Sequence, residues 1–389
     1  MSRSVSAAPD IARLKRQLAE LVALRSENPP GREFEVALYV RDQLAPLGFE
    51  VVFDEFKPGR VNIEAKLANG PGPVFAFNTH MDVVPAGEGW SSDPFVLRES
   101  EGRLYGRGAC DCKGPLAAML EAVRLLAADR AAWSGTLLAV FVADEEIASE
   151  GAKLYASRKP HIDFAVVGEP TSNTVYSAHK GSLRPLVRVL GVPAHSGSPH
   201  LGENAIYRAG ELLSLIAQTH ENDVRHRSHP LVGSASLTVT RIHGGHADNV
   251  LPGACELLLD RRLVPGEDED AVKADIAAML RLAHERTGLR TEIIEWKPTT
   301  GGATETAPDR PIVLASLAAC RAHAIAEPGP FGFQGACDLV HFRSTGAEGV
   351  VIGPGSLSVA HKADEFVPAD EFAVSSLIYR DIAKAMLAG

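Results

Sequence analysis

The stretch TLLAVFVADEE, residues 136–146, decides the fold. It begins with a continuous apolar run, which predicts a strand buried on both faces of a sheet. Three carboxylates follow at once, on Asp144, Glu145 and Glu146. Charged side chains directly after a buried strand indicate a site at its carboxyl end, where open α/β sheets bind their ligands.

Three further apolar runs, at residues 74–78, 164–167 and 349–352, have the same form. Each is followed by polar or glycine-rich residues, which are His80 and Asp82, Glu169, and Gly353-Pro354-Gly355. Helical patterns alternate with these runs, so we predict an α/β fold with a sheet flanked by helices. The polar residues, although far apart in sequence, are then expected to converge at one edge of the sheet.

The pattern changes between residues 182 and 297. Its segments follow in the order βαββαβ, the split-βαβ unit, with strands at 183–190, 236–242, 255–261 and 290–296, and helices at 204–218 and 267–285. We interpret this region as an α+β domain inserted into a host domain formed by residues 1–181 and 298–389. A chain of 389 residues is too long for one ordinary core, which also favours two domains.

The composition, with 45% hydrophobic and 23% charged residues, is that of a globular protein and excludes disordered and fibrous classes. A formal charge of −10 argues against a nucleic-acid or anionic-membrane partner, because both select a basic surface. No apolar run approaches the roughly 18 residues that span a bilayer. The N-terminal segment MSRSVSAAPD lacks the apolar core of a signal peptide and leads into a helix capped by Asp10. Five cysteines without zinc-finger spacing indicate a reduced, cytoplasmic protein.

The adjacent carboxylates of Glu145 and Glu146 are the sharpest local feature. Two negative charges at the mouth of a buried strand repel one another, and a divalent cation removes that repulsion. One carboxylate can then bind metal while the other acts as a base. A solvated strand end, with no ligand, is the alternative interpretation.

Four other residues complete a set of metal ligands. Asp111 lies in GRGACDCKG, residues 106–114, which fits neither a phosphate-binding loop nor a C-x-x-C redox motif. With His80, Glu146, Glu169 and His361 it makes a set of nitrogen and oxygen donors without thiolate. If Asp111 bridges, two divalent ions each receive one histidine and one glutamate and share Asp111. Zinc is the default ion, and cobalt or manganese suits the same donors.

Eight motifs carry a family resemblance: NTHMDVVP (78–85), GRGACDCKG, ADEE (143–146), GEPT (168–171), HKG (179–181), GVPAHSGSP (191–199), GGHADNVLPG (244–253) and GPGSLSVAHKADE (353–365). In this order they resemble the di-zinc metallopeptidase family that includes acetylornithine deacetylase, succinyl-diaminopimelate desuccinylase, aminoacylases and glutamate carboxypeptidases. The resemblance covers nearly the whole chain. It implies a zinc-aminopeptidase-like catalytic domain with a central mixed sheet flanked by helices, and an inserted α+β dimerisation domain, or lid.

The resemblance also implies a role for each residue of the metal site. The ligands would be paired, His80 with Glu169 on one ion and Glu146 with His361 on the other, bridged by Asp111. Glu145 would be the general base, taking a proton from a metal-bridging water as that water attacks an amide carbonyl. Asp82 would be the acid behind the imidazole of His80.

For the inserted domain the resemblance implies a homodimer. His195 matches a histidine that reaches the partner subunit's site and stabilises the oxyanion. Asn249 and Arg262 match positions that hold the substrate carboxylate, and Gly355 with Ser356 lies in the matching substrate loop. Considered alone, His195 is an exposed loop histidine, Arg262 a surface charge and Asn249 a turn residue.

Two departures from the family stand close to these residues. Cys112 occupies a position where the family often has methionine, and we assign none of the five cysteines to the metals. GACDLVHF, residues 335–342, carries Asp338 where relatives have a variable segment near the substrate. The identity of the substrate is therefore the least constrained part of the prediction.

The implied function is metal-dependent hydrolysis of the amide bond in an N-acyl amino acid or related small amide, as in the deacetylases and desuccinylases. A dipeptidase or carboxypeptidase would use the same metals, base and arginine, and hydrolysis of a non-peptidic C–N bond stays open as well. A non-catalytic binding protein is disfavoured because Glu145 and all the ligands are present. A serine hydrolase is disfavoured because the chain has no G-x-S-x-G nucleophile elbow.

Overall fold

The computed structural model describes residues 8–388. Residues 1–7 lie outside that range. The prediction that the N-terminal segment MSRSVSAAPD is not a signal peptide falls mostly on these residues. The described chain divides into two units. The first contains residues 8–177, Thr306–Phe331 and residues 337–388, and the second contains Ala178–Glu305 and Gly332–Ala336.

The first unit is built on a mixed sheet. Its main strands lie side by side in the order Glu50–Lys57, Arg60–Asn69, Gly135–Val142, Val74–His80, Phe164–Val167 and Glu348–Val351. The last four strands of this order run parallel to one another, and the first two are antiparallel to their neighbours. The four predicted strands are therefore present, and the prediction of a central mixed sheet is confirmed.

Helices cover both faces of this sheet because successive strand residues point to opposite sides. Phe75 and Phe77 pack into one core, which also contains side chains of the helices Ile11–Ala23, Phe34–Leu44, Lys113–Ala128, Pro311–Ala322 and Ala369–Leu387. Ala76 packs into a second core, with side chains of the helices Glu150–Ser157 and Leu339–Ser344. The carboxylate of Asp10 caps the first helix as predicted, accepting the backbone N–H of Arg13 at 3.0 Å.

The second unit has the predicted βαββαβ order. Its strands Gly181–Leu190, Ser236–Gly244, Ala254–Leu263 and Thr291–Lys297 alternate with the helices Ala205–Asn222 and Glu269–Thr287. Across the sheet, the second strand is followed by the third, the first and the fourth, and all neighbours are antiparallel. Asn204 and Asp268 cap the two helices with their side chains.

Shorter strands complete the chain. A three-stranded sheet is formed by Arg98–Ser100, Arg103–Tyr105 and Phe366–Pro368. The remaining short strands are Tyr176–His179, Ala194–His195, Ser228–His229, Gly233–Ser234, Val250–Leu251, Thr304–Glu305 and Phe331–Phe333. Within residues 8–388, no helix combines the length and the apolar character needed to cross a bilayer.

Candidate metal centre

A cluster of polar side chains lies at the carboxyl ends of the parallel strands in the first unit. His80 is the last residue of its strand and lies opposite Val142, the last residue of the neighbouring strand. Glu145 and Glu146 follow Val142 after a short turn, and Glu169 follows the next parallel strand. The convergence expected from the sequence is therefore present.

The carboxylate of Asp111 connects two groups of donor atoms. Its Oδ1 lies 3.1 Å from Nε2 of His80, and its Oδ2 lies 3.2 Å from Nε2 of His361. The same nitrogen of His361 lies 2.9 Å from Oε2 of Glu146. In each group all donor atoms lie within 4.8 Å of one another, the groups being His80, Asp111, Cys112 and Glu169, and Asp111, Glu146 and His361. One carboxylate with an oxygen in each group can bridge two cations.

The electrostatics of the cluster favour cations. Hydrogen bonds to Asp111 and Glu146 raise the pKa of His361 to about 10. Burial raises the pKa of Glu146 and of Glu169, and the charge of Asp111 adds to both rises. Buried carboxylates this close repel one another, and divalent ions in place of the histidine protons would relieve that repulsion. The residues present therefore fit a pair of divalent metal ions.

Glu145 is the carboxylate of the pair that belongs to neither donor group. Burial raises its pKa well above the ordinary value, and the negative charge of Glu169 contributes to the rise. A carboxylate with a raised pKa accepts a proton more readily than an ordinary carboxylate, as a general base must. Its position and its pKa are both suited to proton transfer beside the cluster.

Asp82 contacts both the imidazole of His80 and the backbone of the carboxylate pair. Nδ1 of His80 lies 2.9 Å from the backbone carbonyl oxygen of Asp82 and 3.6 Å from Oδ1 of its carboxylate. Donation from Nδ1 to that carbonyl leaves Nε2 free to bind a metal ion. The carboxylate of Asp82 also accepts the backbone N–H groups of Glu145 at 3.2 Å and Glu146 at 3.3 Å, and the amide of Asn28 at 2.8 Å. Asp82 thus fixes the backbone that carries the carboxylate pair.

A buried polar network behind Asp82 was missed by the sequence reasoning. The amide of Asn28 also donates to Asp144 at 3.0 Å. Arg60 donates to the same Asp144 oxygen at 2.7 Å and to Glu33 at 2.9 Å. All four side chains are buried. The sequence marked Asp144 as a strand-end carboxylate, but it offered no signal for Asn28, Arg60 or Glu33.

Glu365 holds the segment that carries Asp111. Its carboxylate accepts the backbone N–H groups of Cys110 at 2.9 Å and Asp111 at 3.0 Å, and it forms an ion pair with buried Arg107. Glu365 ends the GPGSLSVAHKADE motif, which is the signal that could have identified it.

The thiol of Cys112 also faces the cluster. Its Sγ lies 2.9 Å from Oδ1 of Asp111 and 3.3 Å from Oε2 of Glu169. The donor set proposed from the sequence contained no thiolate, so the structure adds a sulfur atom to the candidate ligands.

Comparison with known proteins identifies the family of this centre. The pattern of peptidase family M20/M25/M40 matches residues 76–385, which is most of the chain. The chain belongs to peptidase family M20/M25/M40. The resemblance stated from the eight motifs is thereby confirmed, and the chain is an M20 metallohydrolase.

Two M20 relatives are similar in sequence over most of their length. A probable succinyl-diaminopimelate desuccinylase of Staphylococcus epidermidis is 30% identical, with 96% of this chain and 97% of the relative covered. An acetylornithine deacetylase of Vibrio cholerae is 31% identical, with 86% of each chain covered.

Solved structures share the M20 fold. A tripeptidase from Staphylococcus aureus has a TM-score of 0.81 at 20% identity, covering 98% of this chain and all of its own. A dinuclear metal-binding M20 peptidase from Bacillus subtilis has a TM-score of 0.73 at 19% identity, covering 97% of this chain and 98% of its own.

The second unit of this M20 chain contains three of the predicted site residues. His195 is exposed, and its Nδ1 accepts the backbone N–H of Gly197 at 3.0 Å. In the neutral ring Nε2 then carries the proton and can donate it to an oxyanion. Asn249 is adjacent, since its carbonyl accepts the backbone N–H of the residue after His195. Arg262 lies on another strand and pairs with Asp260 at 2.7 Å.

Gly355 and Ser356, in the first unit, contact the segments that carry Glu169 and Asp111. The backbone carbonyl of Gly355 accepts the N–H of Ser172, just after the GEPT motif, at 2.6 Å. The backbone carbonyl of Ser356 accepts a hydrogen bond from the thiol of Cys110 at 3.5 Å. A Cβ atom on Gly355 would lie 2.6 Å from the sulfur of Cys110, and φ is +81°, so only glycine fits this turn.

Proposed function

We propose that this M20 enzyme hydrolyses the amide bond of an N-acyl amino acid, using two divalent metal ions held by the cluster. His80 and Glu169 would bind one ion, Glu146 and His361 the other, and Asp111 both. The observation that carries the proposal is the carboxylate of Asp111, which directs one oxygen to each histidine.

The chain's own residues supply the proton chemistry of this reaction. When bound, two divalent ions would polarise the amide carbonyl and lower the pKa of water. Glu145 would take a proton from the attacking water and deliver it to the nitrogen of the leaving amine. Its pKa, raised by burial, supports the acceptance of that proton. Asp82 would keep Glu145 in place through the backbone hydrogen bond.

We propose zinc as the ion, because histidine and carboxylate donors in a closely spaced set suit it, and cobalt or manganese as substitutes. The name of the Bacillus subtilis peptidase, which specifies a dinuclear metal site, supports the stoichiometry of two.

The substrate class is supported by the relatives. One is named a desuccinylase and the other a deacetylase, and both names describe removal of an acyl group from an amino acid. We propose that Asn249 and Arg262 hold the substrate carboxylate and that Gly355 and Ser356 line the substrate loop. The pairing of Arg262 with Asp260 keeps the guanidinium group in place for that role.

We also propose that residues 182–297 form an inserted dimerisation domain, so that the enzyme is a homodimer. His195 would act from one subunit on the site of the other, where its Nε2–H would stabilise the oxyanion of the tetrahedral intermediate. A reducing, cytoplasmic location fits the five cysteines, all of which are free and buried.

A hydrolysis screen tests the function. Zinc-loaded protein is offered N-acetyl, N-succinyl and N-aromatic-acyl amino acids beside dipeptides, and released amine is measured. We expect one acyl class to be cleaved with kcat/KM at least tenfold above every dipeptide. Preferential cleavage of dipeptides would replace the proposal with a dipeptidase, and no cleavage of any amide would contradict it. A Glu145→Gln protein is the matched control for contaminating hydrolases.

A further inference from the structure

We infer that Cys112 is a metal ligand of the His80 group, which gives one half of the centre a thiolate donor and the other half none. This inference rests on the proposed two-ion function and adds a donor to it. It starts from the position of Sγ, 2.9 Å from Oδ1 of Asp111 and 3.3 Å from Oε2 of Glu169.

The four donors of this group can bind one ion together. Nε2 of His80, carboxylate oxygens of Asp111 and Glu169, and Sγ of Cys112 all lie within 4.8 Å of one another. Every one of these residues is buried. Zinc takes nitrogen, oxygen and sulfur donors in proteins, and a catalytic zinc can expand to five ligands, which keeps a position for the attacking water. The thiol therefore occupies the place of a fourth ligand rather than a site in the apolar core.

Three of the other cysteines provide a contrast. Cys110 donates to the backbone carbonyl of Ser356, and Cys320 donates to the backbone carbonyl of Asn173 at 3.3 Å. Cys255 packs in the apolar core of the second unit. Among the described cysteines, Cys112 alone belongs to a group of candidate metal ligands.

Coordination by Cys112 exchanges one bond for another. The S–H bond breaks, its proton passes to solvent, and a metal–sulfur bond forms without any change of oxidation state. Two divalent ions carry +4, and the carboxylates of Asp111, Glu146 and Glu169 with the thiolate carry −4. The four protein charges therefore neutralise the two ions.

The two halves of the centre then differ in metal preference. A thiolate favours zinc, cobalt or cadmium over magnesium or manganese, whereas oxygen donors accept the harder ions. The second group has only nitrogen and oxygen donors, and the side chain of His361 is 52% exposed. We expect the buried sulfur-containing half to retain zinc longest and the His361 half to exchange first.

Optical spectroscopy of the cobalt-loaded enzyme tests this inference. Thiolate bound to Co²⁺ produces a charge-transfer absorption in the near ultraviolet, which nitrogen and oxygen ligands do not give. We expect that absorption in the wild-type protein and in Cys110→Ser, and its loss in Cys112→Ser, while the visible d–d bands persist. Cys110→Ser is the matched control because Cys110 is also buried and lies two residues away.

X-ray absorption at the zinc edge gives a second measurement on the unmodified protein, so the test does not depend on how Cys112→Ser folds. We expect one sulfur scatterer for every two zinc ions, at about 2.3 Å. Two bound ions with only nitrogen and oxygen neighbours would overturn the role of Cys112 and leave the proposed function intact. Failure to bind metal at all would contradict both. Charge-transfer absorption that survives in Cys112→Ser, or that disappears in Cys110→Ser, would assign the thiolate elsewhere and also overturn the inference.

Discussion

Replacement of Arg60 by methionine tests whether the buried network behind Asp82 stabilises the first unit. Arg60 is the cation between two buried carboxylates, Glu33 at 2.9 Å and Asp144 at 2.7 Å. Its side chain is 11% exposed, that of Glu33 is fully buried and that of Asp144 is 5% exposed. Methionine preserves much of the arginine stem but removes the charge and all its hydrogen bonds.

The expected loss follows from this burial. Removing one partner of a buried ion pair leaves uncompensated charge and costs about 3–5 kcal/mol of the free energy of unfolding. Burial already raises the pKa of Glu33 to about 7, with a contribution from the charge of Asp82. The charge of Arg60 opposes that rise, so its removal raises the pKa of Glu33 further in the variant. As pH rises, the wild-type protein loses the Glu33 proton through about pH 7, whereas the variant keeps it to higher pH and loses the corresponding stabilisation there. The defect should therefore be smaller at pH 5.5, where Glu33 is protonated in both folded proteins, than at pH 8.

The assay isolates the first unit. In a Trp296→Phe background the remaining tryptophans, Trp90 and Trp133, both lie in that unit, so urea unfolding followed by fluorescence reports it alone. The matched control is Arg158→Met, which removes an exposed ion pair with Asp54 in the same unit. An exposed pair contributes about 0–1 kcal/mol.

The result that refutes the reasoning is a loss for Arg60→Met no larger than the loss for Arg158→Met. If the loss of stability in Arg60→Met is no smaller at pH 5.5 than at pH 8, the role of Glu33 is rejected separately. Adding Glu33→Gln to Arg60→Met should recover part of the stability, because it removes one of the two unpaired charges.

Three further perturbations probe the centre and its surroundings. Glu145→Gln should lower kcat about 10²–10⁴-fold, measured by steady-state kinetics. Its metal content, measured by elemental analysis, should be unchanged. Activity near that of the wild type would show that Glu145 is not the base. His195→Ala should lower kcat, and mixing it with Asp111→Ala should restore part of the activity in hybrid dimers; absence of recovery would place the histidine within its own subunit or outside the reaction. Burial lowers the pKa of His179 from 6.5 to about 4. As pH falls, the unfolded chain therefore binds a proton at His179 before the folded protein does, and the stability of the wild type should fall between about pH 6.5 and 4. His179→Phe should reduce that fall in urea titrations at pH 7 and 5, and an unchanged fall would reject the assignment.

The candidate metal ligands at strand ends were predictable from the sequence because one local pattern marks them. His80, Glu146 and Glu169 each follow a short apolar run, and parallel strands bring their carboxyl ends to one edge. Asp111 and His361 lie in loops, where no periodicity applies, so their prediction depended on the whole donor set and on the family resemblance.

The rest could not be predicted because it depends on contacts between distant segments and on side-chain direction. Asn28 and Asp144 are 116 residues apart, and only the folded chain shows that one amide joins Asp144 to Asp82. The sequence placed Asp82 behind His80, but it could not show that the backbone carbonyl of Asp82 lies closer to Nδ1 of His80 than the carboxylate does. Likewise no pattern shows whether the sulfur of Cys112 points into the cluster or away from it.

The central claim is that Asp111 bridges two catalytic metal ions. Its most direct test is the measurement of bound zinc and of N-acyl amino acid hydrolysis in the same sample during stepwise removal and return of the metal. The account predicts two zinc ions per chain in the active enzyme, loss of hydrolysis with chelation, and recovery on adding zinc. It also predicts that Asp111→Ala binds neither ion tightly. Undiminished hydrolysis by metal-free protein, or two tightly bound ions in Asp111→Ala, would contradict it.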